Sequence, residues 1–159
     1  MLKIYDRLMA AEYAHTWALK RNPNFYDFSK IGGDCTNFIS QCLVAGGAVM
    51  NYDYNKGWYY YSQHNRSPSW TSVFYFQNYI LENSGLGPFG KIEKIENLNI
   101  GDLVQLRQNP TEFNHTVIIS KIEKGKIYVC AHSDDSLNRN LEDYKFLELR
   151  GIKIEGIRI

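Results

Sequence analysis

The chain has 159 residues, enough for one domain with a single sizeable core. Hydrophobic residues make up 44% and charged residues 22%, the balance of an ordinary soluble globular protein. A net charge of +1 leaves no electrostatic footprint for nucleic acid or an anionic membrane, and no stretch approaches membrane-spanning length.

The start, Met1-Leu2-Lys3-Ile4-Tyr5-Asp6-Arg7, lacks the basic region and apolar run of a signal peptide. The expectation is a cytoplasmic protein if the chain is complete, or a secreted or cell-wall location if it is an excised domain. Three cysteines, none spaced as Cys-x-x-Cys, supply neither a zinc quartet nor a disulfide framework. They read as a reduced set, with no metal or organic cofactor implied.

Apolar spacing predicts a first helix over residues 5–20, ended by Asn22-Pro23 because proline disfavours helical geometry in the residue before it. His15 on that helix and His64 in Gln63-His64-Asn65-Arg66 read as surface residues. A second helix is predicted from Cys35, with Phe38, Ile39, Cys42 and Leu43 on one face and Gly46-Gly47 as its stop. Asp34 or Gly33 would cap it, placing Cys35 in the first turn. Free amide groups and the helix dipole there favour a thiolate. Cys35 also shares the apolar face, so a buried core cysteine stands beside the nucleophile reading.

Residues 51–70 have no clear period and carry Tyr52, Tyr54, Trp58, Tyr59, Tyr60, Tyr61 and Trp70. An aperiodic stretch of that length reads as one wall of a groove, suited to glycan rings, peptide side chains or plain packing. A helix follows over residues 71–83, with Ser69 or Thr71 as its cap. Gly101-Asp102-Leu103-Val104 then turns into a strand, with Asp102 as a turn former.

Phe113-Asn114-His115-Thr116-Val117-Ile118-Ile119 reads as a strand opened by a histidine, and Lys124-Gly125 turns it into Lys126-Ile127-Tyr128-Val129-Cys130-Ala131-His132. Closing the hairpin there puts His115 opposite Asp134 and His132 opposite Val117. Residues 134–140 read as a polar loop, 145–149 as a strand or short helix, and 152–159 as a final alternating strand. Helices first and strands after predict an α+β fold with an antiparallel sheet in one domain, residues 1–159.

Gly33-Asp34-Cys35-Thr36-Asn37-Phe38, with Ser40-Gln41-Cys42-Leu43 and Ala45-Gly46-Gly47 behind it, resembles the signature of the Putative amidase domain family. That family is a branch of the papain-like cysteine hydrolases, related to the NlpC-type and CHAP cell-wall amidases. The likeness is strong over residues 32–47 and moderate over 113–141. It implies a nucleophile on a helix N-terminus packed against a C-terminal antiparallel sheet. Cys35 would be the nucleophile and His115 the base. The stretch Ala131-His132-Ser133-Asp134 makes His132 the residue that orients the base by motif, whereas the register favours Asp134. Tyr26 and Asp34 fall on the oxyanion and substrate side, and the Cys35 amide is a natural oxyanion donor. The implied activity is amide hydrolysis through a thioester, on a peptide or peptidoglycan-like substrate. An acyltransferase using the same thioester and a silent binding module on the same fold are the rival classes.

Overall fold

A computed structural model describes all residues, Met1–Ile159. Two layers make up the molecule: four α-helices from the first half of the chain, and a sheet built almost wholly from the second half. The helices are α1 (Arg7–Trp17), α2 (Cys35–Ala45), α3 (Pro68–Thr71) and α4 (Val73–Glu82). The strands are β1 (Leu2–Lys3), β2 (Tyr60–Ser62), β3 (Asn65–Arg66), β4 (Gly87–Glu93), β5 (Leu103–Arg107), β6 (His115–Glu123), β7 (Lys126–Ala131), β8 (Ser136–Asn140) and β9 (Glu148–Arg158). The main sheet runs β1-β9-β5-β6-β7-β8, with β4 also on β9, and β2 and β3 form a separate hairpin. Every pairing is antiparallel, as the order of elements leads one to expect.

Local chemistry sets the helix ends. Asp6 accepts from the Met9 amide at 3.0 Å and starts α1 later than its apolar pattern suggests. Ser72 accepts from the Tyr75 amide and caps α4, in place of Ser69 or Thr71. At the end of α2 the Gly46 amide donates to Cys42 O and the Gly47 amide to Val44 O, with Gly47 at φ 98°.

The sheet has a core on each face. Phe38, Ile39, Cys42 and Leu43 of α2 pack with Leu103, Ile118, Cys130 and Ile152 on the helical side. Val104, Leu106, Val117, Ile119, Val129, Leu141 and Tyr144 form the second core on the other side. The two layers are clamped by Arg7, which donates to Asp102 Oδ1 at 2.7 Å and to the carbonyl of Ile154 at 2.7 Å. Asp102 is fully buried and also accepts from the amides of Asn99 and Ile154. It is therefore a junction of α1, β5 and β9 as well as a turn former.

Several stretches differ from the sequence expectation. The last strand, β9, begins at Glu148 and takes in part of the 145–149 element expected before it, and α3 and β1 form where none was expected. Residues 136–140 form strand β8 on β7 where a polar loop was expected, and β4 forms where no element was expected. Within 51–70, Trp58 and Trp70 are fully buried core residues, while Tyr52, Tyr54 and Tyr61 are exposed. Tyr59 and Tyr60 are half-buried, so the tyrosines and not the tryptophans are available to a groove.

Candidate active site

Cys35 is the first residue of α2 and is only 7% exposed. Asp34 precedes it at the cap position, but its carboxylate makes no cap hydrogen bond. It turns inward instead. Oδ1 accepts from the Phe28 amide at 2.8 Å and from Asn37 Nδ2 at 2.9 Å, and Oδ2 lies 2.5 Å from His132 Nδ1. Arg21 Nε stands 3.5 Å from the same oxygen. The other ring nitrogen of His132, Nε2, is 2.7 Å from the carbonyl oxygen of Trp17, and the ring stacks on Phe38 with centroids 4.0 Å apart. A carbonyl oxygen can only accept a hydrogen bond. Nε2 of His132 is therefore the donor to Trp17, and Nδ1 is paired with the Asp34 carboxylate. The network fastens the residue before Cys35 to the end of α1.

The register of the β6–β7 hairpin explains why His132 meets Asp34. Near the turn, Glu123 faces Lys126, Ile122 faces Ile127 and Lys121 faces Tyr128, the expected pairing. Between Ile119 and Lys121 the register shifts by one, so that Ile119 faces Val129 and Ile118 faces Cys130. Ser120 is the extra residue, its Oγ donating to Asn138 Oδ1 at 2.7 Å. Continued along the strand, the shifted pairing sets His132 level with Thr116, on the helical face with Ile118 and Cys130. His115 pairs with Leu106 and so belongs to the opposite face. The two histidines stand on different sides of the sheet. His132 spends both hydrogen bonds away from His115.

His115 is 5% exposed, and its Nε2 is buried with no hydrogen-bond partner. Its ring lies 6.0 Å from that of Tyr144. Burial lowers its pKa from 6.5 to about 4; the Asp134 carboxylate opposes that shift and the Arg139 guanidinium adds to it. Asp134 itself is 3.2 Å from Arg139 and makes no hydrogen bond to the ring. Helix α2 packs on β6, and the backbone of Thr116, one residue from His115, lies near enough to the Cys35 sulfur to favour its thiolate. Burial pushes the Cys35 thiol up, the Thr116 amide and the Thr36 hydroxyl and amide pull it back, and the Asp34 charge adds to the rise. The net direction is upward. A helix N-terminus alone favours thiolate, but here desolvation outweighs it, and the Cys35 thiol and the His115 imidazole each rest neutral.

Residues 4–154 match the family described as "Putative amidase domain". The chain belongs to that family. It is 40% identical over 139 residues to "Uncharacterized protein YhbB" of Bacillus subtilis (strain 168), which covers 85% of this chain and 43% of the relative. It is 31% identical over 145 residues to "Uncharacterized protein YjcM" of the same organism, covering 86% of this chain and 33% of the relative. The chain thus spans less than half the length of either protein. No solved structure matches it significantly.

For this Putative amidase domain chain, the residues singled out from sequence fall into two groups. Asp34 and His132 form one connected network that ends at the residue before Cys35, and the Thr116 backbone lies near the Cys35 sulfur on the strand that His115 opens. Tyr26 lies on the approach to α2: its carbonyl accepts from Asn37 Nδ2, while its half-exposed ring packs edge-on against Phe28. Asp34 is fully buried, and its carboxylate is taken up by Phe28, Asn37 and His132. Sequence reasoning missed Arg21, Asn37 and Trp70. Trp70 Nε1 donates to Asn37 Oδ1 at 2.8 Å, fixing the first turn of α2 from the opposite side. A polar residue on an apolar helix face, as Asn37 is between Cys35 and Phe38, is the signal that could have found it. His15 and His64 are exposed, and no group of three His, Cys, Asp or Glu side chains is placed to hold a metal ion.

Proposed function

We propose that this chain is a cysteine amidase of papain-like type, acting on amide bonds of peptide or peptidoglycan-like substrates. The observation that carries the reading is the pairing of a first-turn cysteine with the opening of β6, where a buried histidine keeps one nitrogen free of any protein partner. Membership of the amidase-domain family agrees with it.

In this reading His115 takes the thiol proton as the Cys35 sulfur bonds to the carbonyl carbon. Its low pKa in the free protein leaves it unprotonated throughout the neutral range. The oxyanion so formed is received by the Cys35 amide at the helix N-terminus. Histidine returns the proton to the nitrogen as the C–N bond breaks, and an amine leaves. The thioester is then cleaved by water, whose proton His115 accepts, releasing acid and restoring the thiol. His132 is a positioning residue: through Asp34 it holds the turn that presents Cys35. Asp134 acts on His115 through its charge.

The test is incubation with soluble peptidoglycan fragments, with product amines read by mass spectrometry and hydroxylamine present as a trap. New amino termini, hydroxamates made at the expense of free acid, and loss of both in Cys35→Ala are expected. Products that persist in Cys35→Ala would refute a cysteine mechanism.

A further inference from the structure

Away from Cys35 and His115, a cavity of about 600 Å³ lies between the loop 51–57 and one face of α4 with the turn that follows it. Neither Cys35 nor His115 lines it. Its loop wall is fixed by backbone: Asn51 and Trp58 exchange hydrogen bonds of 2.9 and 2.7 Å, and Asp53 Oδ1 accepts from the amides of Asn55 and Lys56. A side chain at Gly57 would collide with the carbonyl oxygens of Asp53 and Asn51, which locks the loop's tight return. The other wall is fixed as firmly, since Asn83 donates to the carbonyls of Leu86 and Pro88 and the Arg158 guanidinium donates to the Asn83 carbonyl.

The side chains carried on these rigid walls are unspent. Tyr75, Asn78 and Glu82 recur at helical spacing along α4 and face Tyr54, Asn55 and Lys56 across the cavity. None of the six makes a side-chain hydrogen bond or ion pair. Tyr54 is 88% exposed and Tyr75 54%, so two aromatic rings stand open beside amide, hydroxyl and carboxylate groups. Four of the seventeen residues lining the cavity are hydrophobic, and an anion would find only one cation, Lys56. Aromatic faces that stack on C–H surfaces, set among groups that bond hydroxyls, fit a polyhydroxylated ring. We infer that this cavity binds a segment of neutral saccharide chain.

The inference does not depend on the chemistry at Cys35. Binding is tested by titrating the isotope-labelled chain with chitotriose and with cellotriose and following amide resonances. Shifts confined to residues 53–57 and 75–86, at millimolar saccharide, are expected with at least one probe. Tyr75→Ala and Asn78→Ala should each weaken binding about tenfold, the equivalent of one well-placed contact. Glu82→Gln, a substitution at an exposed side chain, should also weaken binding, and native affinity in all three variants would overturn the inference. Cys35→Ala should bind like the native chain whether or not the protein proves to be an amidase. No shift in the cavity with either saccharide, or a response there to a neutral tetrapeptide alone, would overturn the inference.

Discussion

His115 takes its character from its surroundings. A histidine that opens a strand could be a solvated cap, but Leu106 opposite, Tyr144 beside it and the second core beneath remove it from water. The unfolded chain protonates this residue near pH 6.5, whereas the folded one resists until about pH 4. Between those values the unfolded state binds the extra proton, so this contribution to stability is intact above pH 6.5 and lost as the pH falls toward 4. The loss amounts to about 3 kcal/mol over that window. Urea titrations from pH 7 to pH 4 should show it, and His115→Asn, which cannot titrate, should flatten the profile by that amount. An unchanged slope in the variant would mean that His115 is solvated. His132 shows what the sequence could not reveal at this scale. The motif marked the residue, but a single extra residue at Ser120 decides which face it occupies, and a strand pattern does not announce a bulge in advance.

At the scale of elements, α2 was the most legible part of the chain. Its apolar stripe, its start at Cys35 and its glycine stop all follow from local rules that tertiary packing reinforces. Strands β4 and β8 were not legible. Both lie at margins of the sheet, paired on one side, and their sequences, Gly-Pro-Phe-Gly-Lys-Ile-Glu and Ser-Leu-Asn-Arg-Asn, lack the alternation that burial imposes. The short α3 was hidden among aromatics, yet it anchors the site. Trp70 joins it to the first turn of α2 through Asn37, and the Trp70 carbonyl accepts from Ser40. Trp70→Phe keeps most of the packing but leaves the Asn37 oxygen buried and unpaired. The expected cost is about 1–3 kcal/mol, read as a lower urea midpoint at unchanged slope. A midpoint equal to that of the native chain would show that water replaces the indole.

For the whole molecule, helices before strands announced an α+β fold, and the antiparallel sheet bears this out. The long-range fastenings were invisible, because they join positions far apart in sequence: Arg7 to Asp102, Asp34 to His132, and Arg21 to Asp135. Each ties the helical layer or its loops to the sheet or the segments following its strands. Together they bring the start of α2 against the opening of β6, which is the arrangement the amidase proposal needs. The most direct test of that proposal is the alkylation rate of each cysteine by iodoacetamide across pH, assigned by mass spectrometry, in the native chain and in His115→Ala. Cys42 and Cys130 are fully buried and serve as internal standards. Cys35 should react at least tenfold faster than either, and His115→Ala should remove most of that advantage while leaving the other two unchanged. If Cys35 is as slow as the others until the protein unfolds, or is indifferent to the loss of His115, it is a core cysteine and the nucleophile–base pair does not exist.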